Sequence, residues 1–139
     1  MSNKSLKLLV VMLRAAQTVE DLVKKDMRSY GINPTEFAVL ELLYHKGDQP
    51  IQKIGEKILL ASSSITYVVD RLEEKGFVKR VDSSEDRRVK FASLTIKGKE
   101  LMEEVFPKHE KRIEEIFSIL NEGEIDLAIK LLKKIGLQE

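Results

Sequence analysis

The sequence predicts a mainly α protein with one small β-hairpin, and three observations predict it. Apolar residues recur at helical spacing over most of the 139 residues. That spacing breaks once, between Phe77 and Leu94, where two β-rich runs flank a polar tip. Seven glycines and three prolines are the only strong punctuation, and 42% hydrophobic with 34% charged residues is the balance of a folded, helix-rich chain, not of a disordered one. The length suits a single domain.

From Leu6 to about Met27 the residues Leu8, Met12, Ala15, Val19, Leu22 and Val23 recur on one face of a long helix, which Tyr30-Gly31 ends. The next helix opens on a capping box, with Asn33 as N-cap, Pro34 at the first helical position and Glu36 three residues after the cap. Phe37, Leu40, Leu43 and Tyr44 form its inner face and Gly47 closes it. A short third helix, about 51–58, turns Ile51, Ile54 and Ile58 inward, and Leu59 to Ala61 make a tight turn. The fourth helix, capped by Ser62, buries Ile65, Val68, Val69 and Leu72 and stops at Gly76. Two short helices joined by a three-residue turn read as a helix-turn-helix.

Phe77 to Val81 and Val89 to Leu94 then form a hairpin around the seven-residue tip DSSEDRR. Helical spacing returns at Ile96, with Met102, Val105, Phe106, His109, Ile113, Ile116, Phe117 and Leu120 on one face and Pro107 as a candidate kink. A last helix, about 122–135, turns Ile125, Ala128, Ile129 and Leu132 inward. The first helix and the last two carry more apolar surface than a small domain covers. A second copy of the chain, joined across a two-fold axis, is the simplest cover.

Net charge is +1, but it is unevenly spread: residues 62–99 carry nine basic and six acidic groups, whereas 100–139 carry six and ten. The basic excess lies in the middle, where an anionic partner would be sought. No cysteine is present, which excludes disulfides, thiolate metal sites and thiol redox sensing, and suits a reducing cytoplasm. Arg14 interrupts the apolar run Leu8 to Leu13, so the start reads as a helix and not as a secretion signal. No stretch is long enough to span a membrane.

Away from its apolar stripe the fourth helix presents Ser63, Thr66, Tyr67 and Asp70, flanked by Ser64 and Arg71. Small hydroxyl residues let a helix approach base edges in a major groove, although a capped surface helix accounts equally well for that face alone. A hairpin directly after a helix-turn-helix changes the balance, because a wing tip beside the helix lies where the adjacent minor groove would run. Arginine suits that narrow, electronegative groove, and Asp86 is spaced to hold Arg88 if the tip is extended. Arg87 and Arg88 are then both groove candidates, Arg88 being the one spaced for Asp86.

The run SSSITYVVDRLEEKGFVKRVDSSEDRRVKFASLTIKG resembles the MarR (multiple-antibiotic-resistance regulator) family of winged-helix transcription factors. The wing pattern of that family, Asp-x-Arg followed by a strand and Leu-Thr, is matched by Asp86, Arg88, Leu94 and Thr95. Thr66, the segment Asp70-Arg71-Leu72-Glu73, Lys75-Gly76 and Arg80 extend the likeness, and the order of helices extends it over the whole chain. The resemblance implies one domain over 1–139, with a winged helix-turn-helix at about 33–96 and dimerisation helices at about 1–30 and 97–139. It implies a cytoplasmic homodimer on a pseudo-palindromic double-stranded DNA operator, most often a repressor released by a small aromatic or anionic effector. Carried over, Ser62, Ser63, Ser64, Thr66, Tyr67 and Arg71 face the major groove or its phosphates. Arg87, Arg88 and Lys90 serve the wing, with Asp86 in support.

Other functions find less in the sequence. His45 and His109 are the only histidines, and His109 shares an apolar helix face, so no metal site and no cofactor is expected. No nucleophile-base spacing, phosphate loop or HExxH motif appears, and no enzyme is expected. The alternative is a winged-helix module that docks a protein and does not read DNA.

Overall fold

The computed structural model describes residues 3–58 and 64–138. Six helices and three short strands follow in the order α1 (Lys4–Arg28), α2 (Pro34–Lys46), β1 (Gln49–Pro50), α3 (Ile51–Lys57), α4 (Ile65–Glu74), β2 (Val78–Asp82), β3 (Lys90–Leu94), α5 (Ile96–Ile116) and α6 (Glu122–Gly136). The mainly α winged-helix architecture expected from periodicity is therefore present, with most boundaries within one or two residues.

Local chemistry explains the boundaries. The Asn33 side chain accepts from the Glu36 N–H at 2.8 Å, and the Glu36 carboxylate accepts from the Asn33 N–H at 3.0 Å, closing the capping box. Asn121 and Glu124 repeat it at the start of α6. Gly76 takes a φ of 83° and, with Phe77 N–H bonding Leu72 O at 3.0 Å, turns the chain out of α4 into β2. Helix α5 runs through Pro107 without a break.

The core sits where α2, α3, α4, the sheet and the first half of α5 meet the end of α1. Met27, Leu40, Ile54, Val69, Leu72, Val78 and Met102 are sealed there. The stripe expected on α4 is confirmed, with Val68, Val69 and Leu72 buried and Ile65 packed against them.

Four expectations change. The sheet has three strands in the order β1-β3-β2, because Gln49 and Pro50 pair antiparallel with Ala92 and Phe91 of β3. Phe77 stands just before β2 and Val89 just before β3, so each strand starts one residue late. The N-cap of α4 is Ser64, whose side chain makes no capping bond; Ser62 and the turn at Leu59 to Ala61 lie outside the described residues. The inward face assigned to α6 is not buried within one chain, where Ile129 and Leu132 are 48% and 54% exposed. Helix α6 instead faces α1 across an open apolar groove of about 730 Å³, lined by Leu8, Val11, Met12, Val19, Leu131 and Leu132 among others.

Candidate nucleic-acid interface

Helix α4 and the hairpin of β2 and β3 form the surface that the sequence points to. On α4 the residues Thr66, Tyr67, Asp70 and Arg71 are exposed, Tyr67 to 60%, on the side opposite the buried stripe. Ser64 is exposed at the start of the helix. Ser62 and Ser63 lie outside the described residues, so their candidate contacts are not placed.

Arg80 joins this face to the wing. From β2 its guanidinium donates to Asp70 at 2.5 Å and to Glu73 at 2.6 Å, and its N–H donates to the other Glu73 oxygen at 3.3 Å. Partial burial works against the guanidinium charge, but the bonds to Asp70 and Glu73 outweigh it and hold Arg80 above the ordinary arginine range. Two carboxylates one helical turn apart are thereby paired with one cation, which offsets part of their charge beside the face that would meet phosphate. The helix and the wing are also tied into one unit. Arg80 belongs to the family pattern that the sequence resembles, and the signal for its role is a cation following an i, i+3 acidic pair.

The wing tip is ordered by Ser83 and Asp86. Ser83 Oγ accepts from the N–H groups of Glu85 and Asp86 at 3.2 and 3.3 Å, and the Val89 N–H closes a turn onto the Asp86 carbonyl at 3.0 Å. Asp86 Oδ1 takes the Arg88 N–H at 3.0 Å and Nε at 3.1 Å, while Oδ2 takes Nη2 at 3.1 Å. The expected pairing of Asp86 with Arg88 is present, but through a turn at 87–88 and not an extended chain. Arg88 still stands 91% exposed at the tip. Its guanidinium, then its N–H, holds the Asp86 carboxyl below the usual carboxylate range. Lys90 is paired with Asp82 across the hairpin. Arg87 is exposed and, among the described residues, has no ion-pair partner.

Thr95 sets the base of the wing. Its N–H bonds the Phe77 carbonyl at 3.0 Å, its Oγ1 donates to Gly76 O at 2.6 Å and accepts the Gly98 N–H at 3.0 Å, capping α5. Gly98 lies against the Phe77 carbonyl, where a Cβ would come within 2.2 Å of the oxygen.

A polar cluster lies away from this surface, where α1, α2 and α5 meet. Tyr30 donates to Asp26 Oδ1 at 3.2 Å, His109 Nδ1 is 3.6 Å from Asp26 Oδ2, and the rings of Phe37 and His109 are 4.5 Å apart. Burial, then the Asp26 carboxylate, pushes the Tyr30 phenol above its ordinary value, so it stays a donor. His109 is thus a packed residue, as its apolar face suggested. Among the described residues no group of three or more metal-ligating side chains is found, and no helix is long and apolar enough to cross a membrane.

Comparison with known proteins agrees with this geometry. The sequence pattern of the MarR family matches residues 32–90. The HTH-type transcriptional regulator MhqR of Bacillus subtilis is 54% identical over 137 residues, covering 99% of this chain and 94% of that protein. Among solved structures, Sco3205, a MarR family regulator from Streptomyces coelicolor in complex with DNA, is 22% identical and superposes with a TM-score of 0.88, covering 100% of this chain and 94% of that one. Bordetella bronchiseptica BpsR, whose DNA binding is regulated by 6-hydroxynicotinic acid, gives 0.86 at 22% identity over 100% of this chain and 99% of that one. These two likenesses speak for the fold, and the near relative for the family. A helix-turn-helix followed by an ordered arginine wing, in a chain that matches MhqR from end to end, belongs to the MarR family of transcriptional regulators.

Proposed function

We propose that this regulator acts in the cytoplasm as a homodimeric repressor on a pseudo-palindromic DNA operator, by binding and without catalysis. Each α4 enters a major groove with Ser62, Ser63, Ser64, Thr66, Tyr67 and Arg71 at bases or phosphates, and each wing puts Arg88 into the flanking minor groove, with Arg87 and Lys90 at the backbone. The observation that carries this reading is Arg88: it is gripped by Asp86 yet 91% exposed, on a hairpin that Arg80 ties to the exposed face of α4. An arginine held in place and still open to solvent has given up its rotamer freedom before a partner arrives, which lowers the cost of binding.

Dimerisation through about 1–30 and 97–139, leaving 33–96 to read DNA, is supported by the apolar groove between α1 and α6. The exposed leucines and valines there are too many for a lone chain in water. A small aromatic or anionic effector is supported by the likeness to BpsR, whose DNA binding is regulated by 6-hydroxynicotinic acid. Such a ligand would favour dimers whose α4 helices are wrongly spaced.

Selection of random duplex DNA by the purified protein tests the proposal. A pseudo-palindrome with half-site centres about 34 Å apart is expected. No enriched sequence, together with no mobility shift at low salt, would instead favour a module that docks a protein.

A further inference from the structure

Helix α4 is held by two kinds of contact. Its body packs through Val68, Val69 and Leu72, and such apolar contacts fix depth better than direction. Direction is supplied by polar ties, of which Arg80 binds the helix to its own wing. Lys75, at the C-cap, supplies the tie to the rest of the molecule.

The Lys75 side chain reaches the start of α2, where Nζ donates to both oxygens of Glu36 at 2.9 and 2.8 Å and to the Gly31 carbonyl at 3.3 Å. Glu36 is 3% exposed and already holds the Asn33 N–H in the capping box. Gly31 is the left-handed residue through which the chain leaves α1. On the other side, Lys97 Nζ donates to the Lys75 carbonyl at 2.9 Å, adding the start of α5. One ammonium therefore joins the end of α1, the cap of α2 and the end of α4. A pair between a buried carboxylate and a partly exposed ammonium adds little net stability, since desolvation offsets its attraction, but its hydrogen-bond geometry is directional.

We propose that Lys75 is a positioning residue for DNA reading: seated on Glu36 and the Gly31 carbonyl, it sets the angle between α4 and α1 and thereby the separation of the two α4 helices in the dimer. This rests on the reading of the chain as a dimeric DNA binder. Any shift of α1 against its partner reaches α4 through the same ammonium.

The test compares DNA selected by the full-length wild type and by Lys75→Met, followed by binding isotherms on the wild-type duplex and on duplexes with one base pair inserted or removed between half-sites. Lys75→Met alone strands a buried carboxylate, so Glu36→Gln/Lys75→Met is run beside it; glutamine keeps the capping box while removing the charge. The wild type is expected to select one spacing. Both variants should select the same half-site bases with scattered spacings and bind the wild-type duplex about tenfold more weakly, as when only a tenth of dimers hold the competent geometry. Lys75→Arg, which can still grip Glu36, should restore the single spacing, a rescue that a loss of mere stability would not require. If the double variant is folded and dimeric by sedimentation and keeps the wild-type spacing and affinity, the positioning role is overturned. If the wild type itself enriches no sequence, it is the DNA-binding reading that fails.

Discussion

At the scale of single residues, Asp86 and Arg88 divide the work of the wing tip. Asp86 accepts three hydrogen bonds from Arg88 and holds a side chain that is otherwise in water. Because Arg88 keeps the Asp86 carboxyl below its usual range, the paired tip is intact at neutral and mildly acidic pH and comes apart only as pH falls through that lowered value. In an NMR titration the Asp86 carboxyl should therefore have a midpoint below about 3.9, and in Arg88→Ala it should move up toward that value. Equal midpoints would mean that the pair does not form in solution. Replacing Arg88 by alanine should also weaken operator binding and reduce the slope of log affinity against log salt by about one. Isotherms at several salt concentrations with an unchanged slope would take Arg88 out of the phosphate or groove contacts.

Among the elements, the joint between wing and α5 leaves no room for a side chain at Gly98. Thr95 bonds Gly76, Phe77 and Gly98 at once, and the absence of a side chain at Gly98 lets α5 start directly against the Phe77 carbonyl. A methyl group there meets backbone oxygen, which cannot swing aside as a flexible side chain would. Gly98→Ala should destabilise the fold by about 1–3 kcal/mol, the usual cost of overpacking, read as a lower urea midpoint at unchanged slope. A midpoint equal to that of the wild type would show that the joint yields. The same joint explains the Leu-Thr of the family pattern: Leu94 ends β3 and Thr95 caps α5, so the wing cannot turn without moving α5.

For the molecule as a whole, the apolar residues divide into two populations. One is sealed within the chain around Leu40, Ile54, Leu72 and Met102; the other, on α1 and α6, lies open along the groove. Leu132→Glu would place a charge in that groove without disturbing a buried core residue. Sedimentation velocity should then show monomers that keep the helical circular dichroism of the fold. Affinity for the full palindrome should drop about a hundredfold, since each half-site loses its tethered neighbour. A variant that remains dimeric would locate the interface elsewhere.

Periodicity and end signals were enough to place the helices, because each depends on neighbours within four residues: the Asn33 to Glu36 box and the apolar stripe of α4. The pairing of Asp86 with Arg88 is legible for the same reason, lying two residues apart, although a turn at 87–88 brings them together and not the extended tip on which the expectation is conditioned. The charged, small-residue face of α4 was legible as a pattern whose meaning came from the hairpin behind it. Tertiary structure alone decided what joins residues far apart in the chain. Strand β1 is two residues long, too short to leave a period, and exists because Gln49 and Pro50 meet β3 across 41 residues or more. Lys75 finds Glu36 at a separation of 39, and Arg80 reaches across to Asp70 only once β2 has been laid beside α4. Local hydrogen bonding and hydrophobic period are written in consecutive residues, whereas the partner of a charged side chain is chosen by how the finished elements pack.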